Sequence, residues 1–153
     1  MTNTEVNAYA TETNNVNAES MYSEIILDYY RNPRNYGTIE GADASSRDVN
    51  PSCGDVIEIQ MRIADGKITE AKFNGKGCAI SQAAVSMLCE NIEGKSLEEV
   101  IAMSREEMLG LLGVEVSGMR SKCALLGFKV AKMALIEKFG AQEVKLQSEQ
   151  TSK

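Results

Sequence analysis

The chain has 153 residues, 16 basic against 22 acidic, for a formal net charge of −6, with 43% apolar and 25% charged residues. That composition is ordinary for a soluble globular domain, and the length suits one domain rather than a multidomain enzyme. No stretch approaches the roughly 20 apolar residues needed to span a bilayer. The N-terminus lacks a signal-peptide layout, so a cytoplasmic location is expected. An acidic chain with no tryptophan is poorly suited to nucleic acid.

Residues 1–20 are rich in Asn, Thr, Ala and Glu without helical or strand period, and are expected to form a disordered tail. The sequence turns polar again after Gly140, so 141–153 is expected to fray and 21–140 to be the working domain. Ser20 can cap a helix whose stripe is Tyr22, Ile25, Ile26 and Tyr29, stopped by Pro33. Ile57, Ile59, Met61 and Ile63 alternate with Glu58, Gln60 and Arg62, predicting a strand over 55–63. Asp65-Gly66 predicts a two-residue hairpin turn and a second strand over 68–73. A turn at Gly75-Lys76-Gly77 then precedes a helix that buries Ile80, Ala83, Ala84, Met87 and Leu88 and ends before Gly94.

Ser96 with Glu99 and Ser104 with Glu107 form two capping boxes, each opening a short helix. Gly113 and Gly118 bracket a loop. The last helix is expected over 120–139, with Ala124, Phe128, Ala131 and Leu135 in register. Strands early and helices late predict an α+β fold, with helices on one face of a small antiparallel sheet. Met61, Met87 and Met108 fall on apolar faces and read as core.

The absence of histidine removes Ser-His-Asp and Cys-His nucleophile systems and His-Glu-x-x-His zinc proteases in one step. Four cysteines remain, at 53, 78, 89 and 123, with no Cys-x-x-Cys pair; in a reducing compartment they are thiols or metal ligands rather than disulfides. Cys53 precedes the first predicted strand, Cys78 lies at a helix N-terminus, and Cys123 lies in the first turn of the last helix. Helix N-termini favour thiolate, and Lys76, Lys122 and Arg120 flank Cys78 and Cys123, where they could lower thiol pKa. Asp55 is two residues from Cys53, which in extended chain puts thiolate and carboxylate on one face. Cys89 is eleven residues beyond Cys78, about 16 Å along a helix, and reads as a buried hydrophobe. The spacing points to a metal or sulfur site.

Four segments make the pattern specific: Tyr29-Tyr30-Arg31-Asn32-Pro33-Arg34-Asn35, Pro51-Ser52-Cys53-Gly54-Asp55, Gly75-Lys76-Gly77-Cys78-Ala79-Ile80-Ser81 and Lys122-Cys123-Ala124-Leu125. From about Met21 to Phe139 the chain resembles the U-type iron–sulfur cluster assembly scaffolds (IscU, SufU and the N-terminal domain of NifU). The resemblance implies a three-stranded antiparallel sheet with helices against it. It also implies a cysteine desulfurase as sulfur donor, apo-proteins as recipients, and Cys53, Asp55, Cys78 and Cys123 as the metal set for a transient 2Fe–2S cluster. Cys123 and Cys53 are both candidate persulfide acceptors.

Two departures stand out. Lys122 occupies the place of the histidine that precedes the last cysteine in IscU-like members. This Lys-Cys pairing is SufU-like, yet the Cys78-to-Cys123 spacing is IscU-like, without the SufU-type insertion. Val114 to Met119 also replaces the Leu-Pro-Pro-Val-Lys segment that engages a dedicated Hsp70 chaperone, so that contact is not expected. The resemblance thus implies a non-enzymatic scaffold. A zinc-dependent sulfurtransferase using the same four residues and a module with purely structural zinc are the alternatives, and monomer and homodimer are both open.

Overall fold

The computed structural model describes residues 23–116 and 118–152, with side chains as far as Phe139. The expected tail at 1–20 lies outside the described residues. The elements are α1 (Glu24–Arg31), β1 (Ala44–Asn50), β2 (Asp55–Ala64), β3 (Lys67–Lys76), α2 (Ala79–Ile92), α3 (Leu97–Ala102), α4 (Arg105–Leu111) and α5 (Met119–Ser152). The strands form one antiparallel sheet in the order β1-β2-β3, giving the expected α+β architecture.

The cap of α1 is Ser23, whose Oγ accepts from the Ile26 N–H at 3.4 Å, so the helix starts later than the Ser20 reading. Ile26 is fully buried, but Ile25 is 62% exposed and does not belong to the inward stripe. Asn32 ends the helix one residue before Pro33, which disfavours helical backbone there. The loop beyond is pinned to α2: Arg34 N–H donates to Ser86 Oγ at 2.7 Å, and Ser86 Oγ donates to the Arg34 carbonyl at 2.8 Å.

Strand β1 has no apolar alternation. Only Ala44 is buried, and Ala44 pairs with Met61 while Asn50 pairs with Asp55. In β2, Ile57, Ile59 and Met61 are fully buried, as the alternation predicts; a register shift at Arg62/Ile63 leaves Ile63 half-buried. Asp65 (φ 54°) and Gly66 (φ 73°) both have positive φ, the twist a two-residue hairpin requires. β3 does not stop at Phe73 but continues to Lys76. Gly75 permits this: its φ is 132°, and a Cβ there would collide with the Val56 carbonyl of the paired strand.

Helix α2 is sandwiched. From Ile80 to Cys89 every residue is buried, Met87 among them, because α1, β3 and α5 cover it on different sides. Each such aliphatic side chain contributes about 1.5–3 kcal/mol of burial. Both capping boxes are present, and Met108 is fully buried. The last helix packs across β1 and β2 and against α2; its assignment covers Met119–Ser152, and the side chains of the expected tail at 141–153 lie outside those described. Lys132 Nζ donates to the Met103 carbonyl at 2.7 Å and lies 4.5 Å from the Phe128 ring, tying α5 to the α3–α4 junction. Among the described residues no helix is long and apolar enough to cross a membrane.

Candidate metal centre

Three parts of the fold meet at one end of the sheet. The first is the loop 51–54 that closes the β1–β2 hairpin. Asn50 holds it: the Ser52 N–H donates to Asn50 Oδ1 at 3.1 Å, and the Cys53 and Gly54 N–H groups donate to the Asn50 carbonyl at 3.3 and 2.8 Å. Gly54 adopts φ 75°, a turn conformation that glycine enters without steric cost, and Cys53 is left exposed beside it. Asp55 then begins β2 and is only 2% exposed.

The second part is the N-terminus of α2. Cys78 is its cap residue, and its Sγ accepts from the Ser81 N–H at 3.5 Å. The Cys78 N–H donates to Asp55 Oδ1 at 3.2 Å, so the buried carboxylate is fixed by backbone of a different element. Gly77 makes this approach possible: a Cβ there would strike Ser81 Oγ and stand 2.7 Å from Asp55 Oδ1. Neither Gly77 nor Ser81 is marked out by sequence spacing, since their contacts are three-dimensional. The nearest signal is that Ser81 lies three residues beyond the capping cysteine.

The third part is α5. Cys123 is its fifth residue, one residue further in than expected, because the helix begins at Met119. Its Sγ lies 3.5 Å from Cys53 Sγ, and Cys53 Sγ lies 3.1 Å from Asp55 Oδ2. Donor atoms of Cys53, Asp55 and Cys123 all lie within 4.8 Å of one another. Cys78 adjoins that trio, its Sγ 4.0 Å from Asp55 Oδ2. Cys89 is buried in α2, where burial first and then Glu93 push its thiol well above the usual range.

Cys123 is likewise pushed up, by burial first, then by its hydrogen bond to Cys53 and by Cys78 and Asp55. The lowering expected from a helix N-terminus and flanking cations is therefore reversed. Cys123 sits a turn inside the helix in a 3% exposed position, and Lys122 beside it is exposed. In the metal-free protein Cys123 keeps its proton, and a soft cation is what would displace it.

Three sulfurs and one carboxylate oxygen form a donor set suited to zinc or iron–sulfur chemistry and ill-suited to magnesium or calcium. Two thiolates on one tetrahedral zinc, at about 2.3 Å each, stand roughly 3.8 Å apart. The 3.5 Å between Cys53 and Cys123 is close to that, so these two with Asp55 fit one ion as they stand, while Cys78, outside their 4.8 Å group, would have to draw in.

Comparison with known proteins identifies the family. The NifU-like N terminal domain family matches residues 21–145. The chain is 33% identical over 143 residues to a protein named zinc-dependent sulfurtransferase SufU from Bacillus subtilis, covering 82% of this chain and 97% of that one. It is 34% identical over 119 residues to the iron–sulfur cluster assembly scaffold protein IscU 1 of Archaeoglobus fulgidus, covering 78% of this chain and 77% of that one. A crystal structure described as a putative iron–sulfur cluster assembly scaffold protein for the SUF system, from Fervidobacterium islandicum AW-1, superposes with a TM-score of 0.64. It is 32% identical and is matched over 76% of this chain and 97% of its own. With residues 21–145 matched by the family and relatives more than 30% identical over most of its length, the chain belongs to the NifU-like N-terminal domain family.

Proposed function

We propose that this protein is a scaffold for iron–sulfur cluster assembly: it accepts sulfur from a cysteine desulfurase, holds a labile cluster as cargo on Cys53, Asp55, Cys78 and Cys123, and passes it to apo-proteins. The observation that carries the reading is the convergence of the Cys53 and Cys123 sulfurs beside the Asp55 carboxylate. Thiolates are the usual holders of iron–sulfur clusters, and a carboxylate is a harder, weaker partner. One weak ligand among four suits a site that must both build and release, and a four-donor set matches a 2Fe–2S cargo.

Sulfur delivery follows from thiol exchange. The acceptor thiolate attacks the outer sulfur of the desulfurase's persulfide; a new S–S bond forms on the acceptor, the donor's S–S bond breaks, and the donor cysteine leaves as thiolate. Exposure favours Cys53 as first acceptor, since it stands at a hairpin tip while Cys123 is buried with its proton held. The same exchange can then carry sulfur to Cys123, 3.5 Å away: its sulfur takes the outer sulfur from Cys53, the Cys53 S–S bond breaks, and the Cys123 proton passes to the departing Cys53 thiolate.

A second reading, a zinc-dependent sulfurtransferase, is favoured by the similarity to the Bacillus subtilis protein of that name. Zinc would keep the thiols deprotonated, and Asp55 would complete a site of three sulfurs and one oxygen. Purification without oxygen separates the readings. Brown protein with iron and acid-labile sulfide supports the scaffold; colourless protein with one zinc that accelerates the desulfurase supports sulfur transfer. Zinc without any such acceleration supports a structural role only.

A further inference from the structure

A groove of about 420 Å³ runs beside the cysteines, between β1 and α5. Its α5 wall is apolar in part, since Leu125 and Phe128 are half-buried, while Val49, 40% exposed, projects from the opposite face of β1 to Asp48. Its lining also carries three cations, Arg105, Lys122 and Lys129, against a single acid, Asp48, in a chain of net charge −6. Lys129 is bridged to Asp48 at 3.0 Å, whereas Arg105 and Lys122 have no ion-pair partner among the described residues. One end of the groove, at Asn50 and Pro51, is continuous with the loop that bears Cys53, and Lys122 directly precedes Cys123.

β1 is also an edge strand. It pairs with β2 on one side, and no described segment pairs with the other. Such an edge offers unpaired main-chain groups to an added strand. A strand laid there would alternate its side chains, one set toward α5 with Leu125, Phe128, Lys122 and Lys129, the other toward the outer face that bears Val49. Charge, apolar wall and open edge are separate features, and together they select one kind of occupant.

We propose that this groove docks an extended, acidic–apolar segment of a partner protein, added to the edge of β1 so that it leads the partner's chain to the Cys53–Cys123 pair. The docking needs neither iron nor zinc in the site. Its failure therefore leaves the proposed function standing, and failure of that function leaves the docking standing.

The test uses a fluorescein-labelled eight-residue peptide alternating glutamate and valine, its glutamine counterpart, and the full metal-free chain. The glutamate peptide is expected to bind about tenfold tighter than the glutamine peptide and to weaken with salt. Arg105→Glu and Lys122→Glu should each weaken it about fivefold. Both place negative charge near a helix N-terminus, which favours folding, so lost binding is not lost structure. Hydrogen exchange of the amides at 44–50 should slow on binding. Equal binding of the two peptides, no binding, or binding without slowed exchange in β1 overturns the proposal. Binding that appears only after deletion of residues 1–20 also overturns it, since the occupant is then the chain's own acidic N-terminal segment.

Discussion

The side chain of Val85 fills the space where a side chain on Gly127 would begin: a Cβ at Gly127 would lie 2.7 Å from Val85 Cγ2 and 2.8 Å from Val85 Cβ. Helices α2 and α5 therefore meet at close range four residues beyond Cys123. The position of Cys123 relative to Cys78, which caps α2, depends on this contact.

Gly127→Val should force the two helices apart. We expect a loss of about 1–3 kcal/mol in urea unfolding, the usual cost of overpacking, only partly offset by the better helix propensity of valine. Metal affinity should fall with it. An unchanged unfolding midpoint would show that the helices shift without strain.

Cys53→Ser, Cys78→Ser and Cys123→Ser should each lose metal, while Cys89→Ala keeps it. The first three bear sulfurs at the site; Cys89 is enclosed in α2. Metal analysis of the four purified variants decides this, and full loading of Cys78→Ser would remove that residue from the set.

Asp55 has two roles that different variants separate. Its Oδ1 holds the Cys78 N–H and its Oδ2 faces the sulfurs. Asp55→Ala should slow cluster loss, because three thiolates remain and the labile oxygen is gone, yet it should weaken zinc binding. It should also cost about 1 kcal/mol by removing the acceptor of the half-buried Cys78 N–H. Asp55→Asn keeps an acceptor for that N–H and should recover most of the stability without restoring the charge. A shorter-lived cluster in Asp55→Ala would refute the release argument.

Cys89 makes stability depend on pH in alkaline solution. Burial raises its folded pKa far above the unfolded value of about 8.5, so the folded state retains a proton that the unfolded chain gives up. The contribution is fully present below about pH 8.5 and is lost as pH rises further, by up to about 1.4 kcal/mol per pH unit. Cys89→Ala should flatten the decline of unfolding free energy between pH 8.5 and 10. Parallel curves for variant and wild type would contradict it.

Much of this was legible in the sequence, for identifiable reasons. β2 announces itself because one of its faces is buried against helices, so Ile57, Ile59 and Met61 must alternate with polar residues. β1 gives no such signal: it lies at the edge, only Ala44 is buried, and Val49 is exposed, so the third strand was expected from the resemblance alone. Cys53, Cys78 and Cys123 stood out by their place at segment boundaries, and Asp55 by standing two residues from Cys53. The reversed acidity of Cys123 did not, because burial depends on α5 packing against the sheet. Gly75 read as a turn because glycine in a strand is rare, whereas its role is to let two backbones pass closely.

The sulfur atoms of Cys53 and Cys123 are contributed by residues 70 positions apart, and α5 follows every other described element that builds the site. During synthesis the hairpin bearing Cys53 and the helix capped by Cys78 can form while the final helix is still unmade. A chain halted before α5 has an incomplete donor set. Binding capacity therefore arrives only when that helix closes over the sheet, and a chain that stops short of α5 would not sequester iron or zinc at this place.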